Sequence, residues 1–146
     1  MANNQVQKGR QKKGPITDKD VLKSLSEEYE KVSPAHYLLF ACPVAFGVPI
    51  NKLVSLDRKK LFYYINLKNI MPDVFTEEKI KNNYLAATSG KTKDDYIFTP
   101  KKKSSNAHIS RITSFKWLKS VSESTDVSAE SLIKTHDYFK SKCREE

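Results

Sequence analysis

At 146 residues the chain is long enough for one domain whose core needs neither metals nor disulfides. Lys and Arg number 26 against 17 Asp and Glu, a formal charge of +9 and a pI near 9.5, which favours a polyanionic partner, nucleic acid ahead of an acidic membrane surface. No apolar run approaches the roughly 20 residues of a membrane span, the start lacks the apolar segment of a signal peptide, and Cys42 and Cys143 stand at no metal-ligand spacing and suit a reducing compartment.

Met1 to Pro15 is polar and carries Lys8, Arg10, Lys12 and Lys13 with no acid, so it reads as a disordered basic arm of the kind that lies along phosphates. Residues 16–146 read as a single domain. Thr17 caps a first helix with acids in its opening turn, and Val21, Leu22, Leu25 and Tyr29 recur at helical spacing up to about Lys31. Its outward face, Lys23, Glu27, Glu28 and Glu30, is mostly acidic and does not suit DNA. Ser33-Pro34 then supplies a cap and a first-turn proline, and an apolar helix follows to Gly47. A short amphipathic helix from Ile50 to Leu56 turns Ile50, Leu53, Val54 and Leu56 inward. These two helices are the expected centre of the core.

Leu61 to Leu67, LFYYINL, is dense in aromatic and β-favouring residues and predicts a strand. Ile70 to Phe75 predicts a second, shorter one, with Pro72 at an edge or a turn. Thr76 caps the next helix, where Ile80, Tyr84 and Leu85 form the stripe, ending near Ser89-Gly90. A loop from Lys91 to Asp95 leads into Tyr96-Ile97-Phe98, a short buried strand or extended segment. The polar turn from Thr99 to Asn106 holds Lys101, Lys102 and Lys103. Ser110 caps a helix from Arg111 to about Ser124, with Ile112, Phe115, Leu118 and Val121 inward and Arg111, Lys116 and Lys119 on the remaining surface. Trp117 reads as a core or rim aromatic, and His108 as a loop or cap histidine with no second metal ligand nearby. No phosphate-binding glycine loop, zinc spacing or nucleophile triad stands out, so no cofactor and no metal are expected.

Three stretches carry a family resemblance. Gly47-Val48-Pro49-Ile50-Asn51-Lys52-Leu53 with Ser55-Leu56 resembles the first catalytic-domain box of the tyrosine recombinases, the phage integrase family, but with Pro49 at the arginine position and Lys52 at the acidic one. Asp95-Tyr96-Ile97-Phe98, the basic turn and His108-Ile109-Ser110-Arg111 keep that family's order. Ser128 to Phe139 resembles its second box, with Glu130 at the histidine position and Ile133 at the arginine position. The match covers roughly Ile16 to Phe139.

The resemblance implies a mainly α fold with a small antiparallel β-sheet, like a recombinase catalytic domain shortened at its C-terminus. Lys68 lies near the sheet turn where the family carries a catalytic lysine. Tyrosine-mediated strand cleavage needs cations around the scissile phosphate and a nucleophile. Here both arginine positions are uncharged, and the chain stops before the family's nucleophilic tyrosine. The expectation is therefore a non-enzyme: a DNA-binding regulator or accessory factor of a phage or mobile element. Such a protein would be cytoplasmic, and nucleoid-associated when bound to double-stranded DNA. Its expected contacts are the arm (Lys8, Arg10, Lys12, Lys13), the lysine turn (Lys101, Lys102, Lys103) and the Arg111, Lys116, Lys119 surface. The alternative is a protein-interaction module, an inhibitor or assembly factor or a self-associating chain, that has left DNA behind and exposes an apolar groove. No membrane partner is expected.

Overall fold

The computed structural model describes residues 15–66, 69, 71–91, 95–99, 108–122 and 129–145, with backbone alone at 122, 129, 130 and 140–145. The chain is mainly helical: α1 is Lys19–Val32, α2 Pro34–Phe46, α3 Ile50–Leu53, α4 Arg58–Ile65, α5 Glu77–Ala87, α6 Arg111–Ser122 and α7 Ala129–Glu145.

The order starts from α2. Ser33 accepts a hydrogen bond from the His36 amide at 3.0 Å, Pro34 occupies the first turn, and Gly47 closes the helix with a φ of 70° that a side chain would resist. Every residue from Tyr37 to Phe46 is buried. A helix apolar on all sides must be wrapped, and α2 packs against α1, α3, α5, α6 and α7. Phe40 sits at the middle, stacked on Tyr29 at 5.0 Å between ring centres and edge-on to Phe75 at 6.1 Å. Tyr29 in turn donates its hydroxyl to the Leu118 carbonyl at 2.7 Å, linking α1 to α6. The entry to the domain is tied down as well, since the Ile16 amide donates to Thr135 Oγ1 at 2.7 Å on α7.

Helix α1 begins one residue later than the sequence suggests. Asp18, not Thr17, is the cap, its carboxylate accepting from the Asp20 and Val21 amides. A carboxylate opposite the positive helix end is the stronger partner of the two side chains. Leu22, Leu25 and Tyr29 face inward as expected, and α3 buries Leu53 with Val54 and Leu56 just beyond it.

The expected sheet is not found: no strand occurs among the described residues. Leu61 to Ile65, most of the first expected strand, belongs to α4. Asp57 caps that helix by accepting from the Lys60 amide at 2.8 Å, and Leu61 and Ile65, four apart, are the pair it buries. The first turn is held further by Arg58, whose guanidinium donates to the Lys91 carbonyl at 2.7 Å and whose carbonyl accepts from the Tyr84 hydroxyl at 3.0 Å. Cap and tertiary anchors outweigh a β preference worth at most about 1 kcal/mol per residue. The second expected strand is a turn: Val74 and Phe75 both donate to the Met71 carbonyl, and Asn69 bonds the Met71 amide and the Phe75 carbonyl. Among the described residues the pairing that remains is an isolated antiparallel bridge between Asp57 and Tyr96, beside buried Ile97 and Phe98.

Two apolar assignments also change. Leu85 on α5 is 59% exposed while its neighbour Tyr84 is buried, and Ile112 on α6 is 70% exposed. The inward face of α6 is Ser114, Leu118 and Val121. Trp117 is a rim aromatic, stacked on His36 at 4.3 Å, and His108 is a loop residue edge-on to Tyr96 at 5.1 Å.

Candidate functional site

A cavity of about 620 Å³ opens where the α3 entry, the first turns of α6 and the middle of α7 converge. Pro49 and Ile50 line it from the α3 side, Ile112 and Phe115 from α6, and Ile133 from α7. The polar groups in it are Asn51, Arg111, Ser114, His136 and Asp137. Each helix brings its residues by spacing: Arg111, Ile112 and Phe115 occupy adjoining positions of one helical face, and Ile133, His136 and Asp137 stand three and four apart on α7.

The electrostatics are uneven. Arg111 and Asp137 are exposed and make no ion pair with each other. His136 is buried, 6% exposed, and inclined to Phe40 at 6.0 Å between ring centres. Both ring nitrogens are closed off from solvent and make no hydrogen bond of regular geometry, the Phe40 backbone being the polar group they approach. Burial pulls its pKa down to about 4, against a weaker upward pull from the Phe40 backbone, so the ring is neutral at physiological pH. Ser114 is satisfied within its own helix, donating to the Arg111 carbonyl at 2.6 Å.

The two positions that the family resemblance assigns to arginines, Pro49 and Ile133, are thus brought together at one concavity, with Arg111 as its cation. Glu130, assigned to the histidine position, lies one turn before Ile133 on α7; its side chain is outside the described residues. Lys116 and Lys119 are exposed on α6, away from its buried Ser114–Leu118–Val121 side. The remaining expected contacts, Lys8, Arg10, Lys12, Lys13, Lys101, Lys102 and Lys103, lie outside the described residues, as do Lys68 and the side chain of Cys143. Cys42 is buried in α2, where burial pushes its thiol up to about 12 and leaves it unreactive.

Sequence reasoning missed His136, Phe115 and Ile112 as cavity residues. The signal for His136 was available: it stands three residues after Ile133, on the same side of a helix. For Ile112 and Phe115 the spacing marks an apolar face, which a core and a cavity wall share.

Charge is segregated elsewhere on the surface. Lys19 pairs with Asp73 at 2.8 Å, Lys79 with Glu30 at 3.1 Å and Lys81 with Glu77 at 2.7 Å, all on the side formed by α1 and α5. Burial raises the Glu30 pKa, but bonds from Asn83 and Lys79 more than offset this and hold it below the usual carboxylate range. A second cavity, of about 400 Å³ between Phe46, Ile65, Asn69 and Ile80, contains none of the expected site residues. No described helix is long and apolar enough to cross a membrane. No protein-family model matches the chain, and no curated protein and no solved structure matches it.

Proposed function

We propose that the chain is a non-catalytic DNA-binding protein on a helical frame related to the tyrosine recombinases, serving as a regulator or accessory factor of a phage or mobile element. The observation that carries this reading is the meeting of Pro49 and Ile133 at one cavity beside Arg111. These positions are far apart in sequence and were paired only by the resemblance. Their residues are apolar, so the cations that would stabilise a cleaving phosphate are missing, while Arg111, Lys116 and Lys119 remain on the adjoining helix for backbone contact. Losing even one preorganised donor typically costs about 10²- to 10³-fold in rate. Binding without cleavage is the activity such a surface can supply, in the cytoplasm and on the nucleoid.

A gel shift of a generic duplex at low and moderate salt tests this. Binding that weakens steeply with salt is expected; no complex at low salt would end the proposal. A covalent protein–DNA adduct on a nicked substrate would end its non-catalytic half.

A second reading, a protein-interaction module, is favoured by a different observation. Phe62 and Tyr63 on α4 are 47% and 66% exposed, and Phe62 leans on Tyr84 at 5.6 Å beside exposed Leu85. Exposed aromatics grouped in this way suit a protein partner or a second copy. Light scattering decides it: a stable dimer that Tyr63→Lys dissolves supports this reading, and a monomer at high concentration removes self-association.

A further inference from the structure

Helix α4 carries a surface that neither the core nor duplex binding through α6 uses. It buries Leu61 and Ile65 and turns its other side outward. At 3.6 residues per turn that side reads, around the axis, Phe62, Lys59, Tyr63, Lys60, Tyr64, so that rings and ammonium groups alternate. Lys59, Lys60, Phe62 and Tyr63 are exposed and Tyr64 is half-buried. The rings are held in place by neighbours: Tyr63 stands edge-on to Tyr64 at 5.8 Å between ring centres, and Phe62 leans on Tyr84. Lys52 of α3 adds a third ammonium, 5.6 Å from the centre of the Tyr64 ring. None of the three lysines makes an ion pair with a described residue. Of the acids at the start of the helix, Asp57 is engaged as its cap, and Asp95 lies at the first turn, where its carbonyl accepts from the Arg58 amide.

We propose that this face of α4 binds single-stranded nucleic acid, with bases stacked on Tyr63 and Phe62 and phosphates beside Lys59, Lys60 and Lys52. Each half of the ligand answers one half of the surface. Exposed rings fixed on a helix receive a flat π-face, and any base supplies one. Ammonium groups set between those rings receive an anion that recurs with every base. An unpaired strand offers both. In a duplex the base faces lie on one another and only their edges reach the grooves, so Tyr63 and Phe62 would have nothing to stack on. The core of a protein interface gathers aromatics and is depleted of lysine, whereas here lysine separates the rings. A helix lying in a membrane surface keeps its charges on the face opposite its apolar one, and Lys59 stands between Phe62 and Tyr63. This inference goes beyond duplex binding and does not rest on it, since the two surfaces share no residue.

The test is fluorescence anisotropy of the full chain with three labelled probes: an oligothymidylate of about 12 nucleotides, within the usual range of site sizes, an abasic strand of the same length, and a duplex. The two single strands carry the same phosphates, so whatever the rest of the chain contributes through charge cancels between them. At low salt the oligothymidylate should bind saturably and about tenfold more tightly than the abasic strand, the order expected of base stacking. Tyr63→Ala removes most of that preference, Tyr63→Phe keeps it, and neither changes duplex binding. Lys59→Gln combined with Lys60→Gln weakens both single strands alike and makes the salt slope shallower by roughly 1–1.5, at about 0.7 per contact. All these positions are exposed, so the fold survives the substitutions. Equal affinity for the two single strands would overturn the proposal, as would no saturable binding or a preference indifferent to Tyr63→Ala. Loss of duplex binding in Tyr63→Ala would also overturn it, by making α4 a duplex contact. A stable dimer that buries Tyr63 would give the surface to a second copy. Recruitment to vesicles of phosphatidylserine and phosphatidylcholine that Tyr63→Ala abolishes, without strand binding, would give it to a membrane; either result ends the proposal. Because the single strands are measured separately, failure of the gel shift on duplex leaves this result standing, and the reverse also holds.

Discussion

His136 shows how one side chain can couple site and stability. In the unfolded chain its imidazole titrates near 6.5, whereas burial holds it near 4 in the fold. Above pH 6.5 both states are neutral and the group contributes no pH dependence. As pH falls from 6.5 towards 4 the unfolded chain takes up a proton that the fold refuses, so stability drops, and below 4 the loss levels off. A shift from 6.5 to about 4 corresponds to about 3 kcal/mol across that window. Urea unfolding at a series of pH values should show this slope, and His136→Leu should flatten it while leaving the contribution of the surface carboxylates in place. Unchanged slopes in the variant would mean that His136 titrates alike in the folded and unfolded chain. The sequence alone placed this residue within the stretch that resembles the family's second box, but not in a cavity. What surrounds its ring depends on Phe40, nearly a hundred positions away, and no local pattern records that contact.

At the scale of elements, the ends of α2 were the most legible feature of the chain, because caps are local chemistry. Ser33 and Pro34 open it and Gly47 closes it where the sequence places them. Ser33→Ala should cost about 1 kcal/mol by removing the bond to the His36 amide. Gly47→Ala should cost about 1–2 kcal/mol, since alanine resists the left-handed φ of 70°. Chemical denaturation checks both, and effects below a few tenths of a kcal/mol would show that the core alone fixes the helix ends. Helix α4 was misread for an equally physical reason. Phe62, Tyr63 and Tyr64 favour strands where a pleated, half-buried surface exists to receive them, but no partner strand is present among the described residues. The Asp57 cap and the Arg58 anchors then decide the matter, and two of the three aromatics turn to solvent. In α6 the spacing of Ile112, Phe115, Leu118 and Val121 was sound as periodicity. It could not tell the core wall, which Leu118 and Val121 form, from the cavity wall, which Ile112 and Phe115 form.

Across the whole molecule, composition indicated a basic protein without indicating where the charge is paired. The net +9 hides an arrangement in which Lys19, Lys79 and Lys81 are engaged by Asp73, Glu30 and Glu77 around α1 and α5, while Arg111, Lys116 and Lys119 occupy α6. Two triple substitutions with the same loss of charge separate patch from total. If α6 lies along DNA, neutralising Arg111, Lys116 and Lys119 to Gln removes up to three phosphate contacts. The slope of log affinity against log salt then becomes shallower by roughly 2–3, at about 0.9 per contact. Neutralising Lys19, Lys79 and Lys81 frees carboxylates on the side already unsuited to DNA and lowers affinity through the long-range field alone. That field is screened beyond about 10 Å at 0.1 M salt, so the slope should stay close to that of the unaltered protein. Exposed ion pairs of this kind contribute roughly 0–1 kcal/mol each, so both variants should remain folded. Equal shallowing in the two variants would show that binding follows total charge, and α6 would lose its place as the DNA-facing surface.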